Sequence, residues 1–219
     1  MTLPSVIIAS IIFSIMTMGV INQSSMILDM EKEKAQMSDM KEIKQAVLLD
    51  YEGTGLIEKS LLNLSEHSYI DMTSLTDIGG GEFHVLDNGN TTFTFNGSGN
   101  FRGVVLSSNN DGLDSSIDTN DLIIRSGEAH LLIAQSDLDQ TSRGKTEKII
   151  TKCNTALSNF VSIEGRAPVD IYEIASLSYL DGKDLIDGFN KILLLNGSTN
   201  CYSSGLNGVD DSQLGDDVL

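Results

Sequence analysis

An α+β fold, with one long N-terminal α-helix followed by two small heads that each pack a helix on a short antiparallel β-sheet, is predicted by three observations on this sequence. No charged side chain precedes Asp29, and no basic one precedes Lys32. The hydrophobic period shortens from 3 or 4 residues to 2 after Gly79. Residues 202–219 also repeat residues 106–123 at a constant offset of 96, with Ser107, Ser108, Gly112, Asp114, Ser116 and Asp121 falling on Ser203, Ser204, Gly208, Asp210, Ser212 and Asp217.

The uncharged stretch from Met1 to Ile21 approaches the roughly 20 apolar residues that an α-helix needs to cross a bilayer. A secretory signal would carry a basic start and a small-residue cleavage site, which are missing here. A plain single-span anchor fits the length. A longer element accounts for more of the chain, because Ile27, Met30, Met37, Met40, Ile43, Val47 and Tyr51 continue largely at helical spacing. One helix is therefore expected from Pro4 to about Tyr51, ending at Glu52-Gly53-Thr54-Gly55, where glycine supplies the left-handed cap. Leu61, Leu62 and Leu64 mark a short second helix in the connection to the first strand.

Phe83 and Val85, then Thr91 to Phe95, alternate in the manner of strands around the hairpin signal Asp87-Asn88-Gly89, and Phe101 to Leu106 supplies a third strand. The expected product is an antiparallel meander covering the apolar stripe of the long helix. An acidic loop comes next, then strand-like Leu122–Arg125 and His130–Ala134, then a polar, aperiodic linker at 135–144. A second long helix is expected from about Lys145 to Ile163, ended by Glu164-Gly165 and Pro168. A short helix within Ile171–Leu180 and a hairpin at Asn196-Gly197, between Phe189–Leu195 and Thr199–Tyr202, lead to a second acidic loop.

Net charge is −17, from 31 acidic and 14 basic residues in 219. With no basic patch in view, a surface of this sign repels phosphate backbones, so no nucleic-acid partner is expected. Enzyme signatures fail one by one. Gly144-Lys145-Thr146 lacks the leading glycine of a phosphate loop, His67, His84 and His130 share no ligand spacing, and no nucleophile elbow exists. No catalytic residue is assigned. Cys153 and Cys201 are the only cysteines, and an exported chain would join them across the second helix and the strand before its acidic loop; two separate buried thiols are the alternative.

Met1-Thr2-Leu3 followed by Val6-Ile7-Ile8-Ala9 resembles the start of processed type IV pilins and of the pseudopilins of type II secretion. The second half strengthens the likeness: Cys153 to Pro168 resembles the pseudopilin helix and its exit, and Ser203-Ser204-Gly205-Leu206-Asn207-Gly208 with Asp216-Asp217 resembles the acidic segment closing major pseudopilins. Ser5 departs from the family, which mostly has a glutamate there, and Asn109 replaces the glycine that stands at Gly205 in the second copy.

The resemblance implies pilin-like heads, Met1 as the first residue of a processed chain, and assembly through Met1, Thr2, Leu3, Pro4 and Ser5. It implies a homo-oligomeric helical filament on the cell surface, whose subunit is membrane-embedded before inner-membrane machinery assembles it. It also implies calcium at two loops, one using Ser107, Asp111, Asp114, Asp118 and Asp121, the other Ser203, Asn207, Asp210, Asp216 and Asp217. Those residue types suit calcium, which takes about six to eight oxygen ligands. The expected division is a 1–28 filament-core helix, a 29–134 first head, a 135–144 linker and a 145–219 second head. The alternatives are an accessory subunit of a secretion or DNA-uptake machine, and a monomeric membrane-anchored calcium-binding module.

Overall fold

A computed structural model describes the backbone from residue 3 onward except at 68, 72–75, 77–79, 90, 109–114, 119, 125–127, 198 and 211–215, and side chains from residue 24 onward. Leu3–Thr54 is a single α-helix, α1, of 52 residues, about 78 Å long at ~1.5 Å per residue. Pro4 stands in its first turn, where a missing N–H costs nothing. The left-handed cap, within the expected Glu52-Gly53-Thr54-Gly55 exit, is Gly55 (φ +71°), with Gly55 N donating to Tyr51 O at 2.8 Å.

Among the described side chains of α1, those that are packed belong to its second half. Met40, Ile43, Ala46 and Val47 are buried against Leu64 of α2 (Leu61–Glu66), Phe83 and Val85 of β1 (Phe83–Asp87), and Val105 and Ile133 of the sheet. Every residue from 24 to 34 is exposed, so the apolar stripe continues past the globular part and leaves Ile27 and Met30 uncovered. Among the described residues no helix is long and apolar enough to cross a membrane. The side chains of the 1–21 stretch lie outside them, as do Met1 and Thr2 altogether; Leu3, Pro4 and Ser5 are helical in backbone.

The sheet is curled and mostly antiparallel around β3 (Ser98–Ser107). One edge of β3 pairs with β1 (Asp87 opposite Gly103) and then, end to end, with β2 (Phe93–Phe95; Phe93 opposite Phe101). Its other edge pairs with β6 (Ala129–Ala134). β5 (Asp121–Ile123) runs parallel to β2, and β4 (Ser116–Asp118) closes the curl against β5. Val105 faces α1 while Val104 and Leu106 face a second cluster with Phe93 and Leu122, so β3 is covered on both faces.

This corrects the meander. β1 and β2 do not form a hairpin at Asp87-Asn88-Gly89, because the ten-residue β3 is long enough to hold both in line. The tight turn belongs to Asn96-Gly97, whose successive left-handed φ values of +54° and +69° match a type I′ hairpin.

The expected linker is also corrected, because α3 spans Gln135–Glu164 and residues 135–144 are its first turns. The Asp137 carboxylate caps them by accepting from Ala134 N at 3.0 Å. Leu138, Ser142 and Thr146 are buried at four-residue spacing, and the Thr146 hydroxyl donates back to Ser142 O at 2.8 Å. The helical stripe is real but built of hydroxyls, which hides it from a hydrophobic period. As a result α3 places Leu138 in the α1 core and Ile149 to Phe160 in a second core.

That second core contains Ile171 and Ile174 of α4 (Ile171–Ser176), capped by the Asp170 carboxylate, together with Leu180, Leu193 and Val218. A 3-10 turn (Gly182–Leu185) leads to the hairpin of β7 (Leu194–Asn196) and β8 (Asn200–Tyr202). The Cys153–Cys201 disulfide joins α3 to β8, as the exported-chain reading expects.

Candidate functional site

The second acidic loop is the better described of the two. Ser203 pairs with Val218 in a backbone bridge, 2.9 and 3.0 Å, which lays residues 203–210 beside the last residues of the chain. Gly205 has φ +65°, and a Cβ there would stand 2.2 Å from Asp216 O, so only glycine permits this approach. Asn207 N then donates to Asp216 Oδ2 at 2.9 Å, while the Asn207 Oδ1 accepts from Val209 N at 2.6 Å.

Of the predicted ligands, Asn207 and Asp216 are brought together, and Asp217 is buried next to them in sequence. Asp210 is drawn to Tyr202, whose hydroxyl donates to Asp210 Oδ2 at 3.0 Å. Burial, and then this bond, hold the Tyr202 hydroxyl above the usual phenol range. Leu206, Asp216 and Val218 also wall a cleft of about 320 Å³ with Phe189 and Arg143 of α3.

Ser203 does not point outward. It is fully buried, its hydroxyl donates to Asp187 Oδ2, and it accepts from Gly205 N at 3.0 Å. Asp187 is the residue that the sequence reading missed. Its side chain has no exposure, and its Oδ1 accepts from Phe189 N at 2.8 Å and Lys191 N at 2.7 Å. Gly188 beside it donates to the Thr146 hydroxyl at 2.9 Å, and a Cβ there would lie 2.0 Å from Ser142 O. The Asp-Gly turn dipeptide was the available signal.

The first acidic loop differs in shape. Asp118 and Asp121 face each other across the β4–β5 hairpin, and Asp121 Oδ1 accepts from the Thr94 hydroxyl at 2.9 Å. Ser107 is buried in β3, where Gln36 Nε2 donates to its hydroxyl at 2.8 Å. Asp111 and Asp114 lie outside the described residues. Both Ser-Ser pairs of the repeat, Ser107-Ser108 and Ser203-Ser204, are buried, so the two copies agree in burial where they agree in sequence.

Chemically, the second loop gathers carboxylate, amide and backbone oxygens where two segments of chain meet. Among the described residues, no three His, Cys, Asp or Glu side chains stand close enough to hold a metal ion. Compared with family models, with curated proteins and with solved structures, the chain gives no match.

Proposed function

We propose that this chain is a structural subunit of an extracellular type IV pilus-like filament. Residues 1–28 hold it in the membrane until assembly machinery there passes it to a homo-oligomeric helical filament. Pilin-like heads then lie outside, stabilised by calcium at the two acidic loops. The observation that carries this reading is the uncovered part of α1. Met26, Ile27, Leu28 and Met30 are 66, 57, 57 and 48% exposed on a helix whose later residues Met40, Ile43, Ala46 and Val47 are buried in the fold. An apolar helix face left bare in one copy is accounted for by burial against neighbouring helices.

Oxidative labelling tests it. Met26 and Met30 are expected to convert to sulfoxides in the detergent-held subunit and to be protected in assembled material, with the buried Met40 inert in both. Equal labelling of Met26 and Met30 in both states, or no filaments by electron microscopy of material from the producing cells, would overturn the filament. Ser5 favours one second reading, an accessory subunit of a secretion or DNA-uptake machine, because the glutamate that most of the resembled family carries there is replaced. A filament made mostly of another chain would identify that role.

Calcium has its own test. Calorimetric titration of the full chain in detergent is expected to find two sites, with Asp114→Ala removing one and Asp210→Ala the other. At one hundred times Kd, one site adds about 2.7 kcal/mol of stability. Identical melting in calcium and in chelator would reduce both loops to solvated turns.

A further inference from the structure

Two hairpin tips carry the same tripeptide, Asn96-Gly97-Ser98 between β2 and β3 and Asn196-Gly197-Ser198 between β7 and β8. We propose that Asn96 and Asn196 are N-glycosylation acceptors. The pattern Asn-x-Ser/Thr is the acceptor signal of N-linked transfer when it lies on an accessible loop of an exported protein.

Both asparagines are exposed, and both central glycines are left-handed, φ +69° and +59°. Neither carboxamide is held by a side-chain hydrogen bond among the described residues. The Ser98 hydroxyl is at the surface and donates only a 3.3 Å bond to Phe95 O; Ser198 lies outside the described residues. Turn chemistry alone does not demand the serine. The chain has two further Asn-Gly pairs, Asn88-Gly89 and Asn207-Gly208, and these are followed by Asn90 and Val209.

Asn63-Leu64-Ser65 supplies an internal contrast. It has the same pattern but lies inside α2, with Leu64 fully buried and the Asn63 carboxamide donating to Glu58 Oε2 at 3.0 Å. That backbone cannot open around a transferase without unfolding the helix. A fourth pattern, Asn90-Thr91-Thr92, begins at a residue outside the described ones, and a fifth, Asn22-Gln23-Ser24, lies within the backbone of α1, as Asn63 lies within α2.

In the transfer, the carboxamide nitrogen attacks the anomeric carbon of an oligosaccharide carried on a lipid diphosphate. The new C–N bond replaces the sugar C–O bond, the lipid diphosphate leaves with that electron pair, and the nitrogen's proton passes to a base of the transferase. The Cys153–Cys201 disulfide agrees with heads exported to an oxidising compartment, the location that the proposed function assigns them. The inference uses the export of the heads and not their polymerisation.

The test is intact mass of the chain purified from the cells that naturally make it. The expected result is a mass that falls by one glycan in Asn96→Gln, by one in Asn196→Gln and by two in the double variant. Because Asn96 has positive φ and a replacement there is strained, Ser98→Ala serves as the second probe, and it should remove the same glycan while Ser98→Thr retains it. An unmodified mass, or an excess that survives Ser98→Ala and Asn196→Gln together, would overturn the proposal. Sugar on Asn63 would overturn its structural basis. None of these results bears on filament formation.

Discussion

Changing Cys153 and Cys201 together to alanine is expected to destabilise the chain by about 4 kcal/mol, which is what the loop-entropy account gives for a closure between its 15- and 100-residue benchmarks. The two sulfurs bracket a separation of 48 residues and are themselves fully buried, so alanine adds no polar atom to the core. Denaturant midpoints under non-reducing conditions measure the loss. The wild type treated with reductant should approach the variant. A midpoint unchanged to within about 1 kcal/mol would mean that the second core holds its unfolded ensemble together without the bridge.

Asp187→Ala is expected to cost about 3 kcal/mol or more. Its carboxylate accepts from Phe189 N, Lys191 N and the Ser203 hydroxyl, and hydrogen bonds to a charged group contribute roughly 1.5–3 kcal/mol each, offset in part by the desolvation that removal of a buried charge relieves. Asp187→Asn should lose less than half as much. It keeps an oxygen for the two backbone donors and offers an N–H to Ser203. If alanine and asparagine are equally mild, the carboxylate does not organise the 187–191 turn or the start of the second acidic loop.

The elements whose residues repeat apolar side chains were legible in the sequence. The packed end of α1 follows Met40, Ile43 and Val47, β1 follows Phe83 and Val85, and the second hairpin follows Asn196-Gly197. What failed to show was set by tertiary partners. The start of α3 is buried through Ser142 and Thr146, whose side chains read as polar surface although the Thr146 hydroxyl donates back to Ser142 O and accepts from Gly188 N. The pairing of β1 with β3, in place of β2, depends on the length of β3, to which neither partner's own pattern refers.

The acidic loops were legible as composition, and their arrangement was not. Asp187 stands sixteen residues before the serine it binds, outside the repeated segment, and a lone Asp-Gly pair is indistinguishable from an ordinary turn until Ser203 is seen beside it. The family resemblance groups Asp210 with Asn207 and Asp216, whereas the nearby phenol of Tyr202 takes one of its oxygens.

Because one unbroken helix lines both cores, the halves of this molecule do not have separate fates. Leu138 cannot leave the α1 core, nor Phe160 the disulfide-bearing one, without a loss of order in a segment that both share, and the Lys44–Asp137 and Lys148–Glu52 pairs fasten α1 to that segment. Thermal fluctuations that open one core therefore raise the free energy of the other, and the globular part behaves as a single cooperative unit. Two cores joined in this way give up the independence of beads on a string and gain a stiff body, so that a load applied to either is shared by both at once.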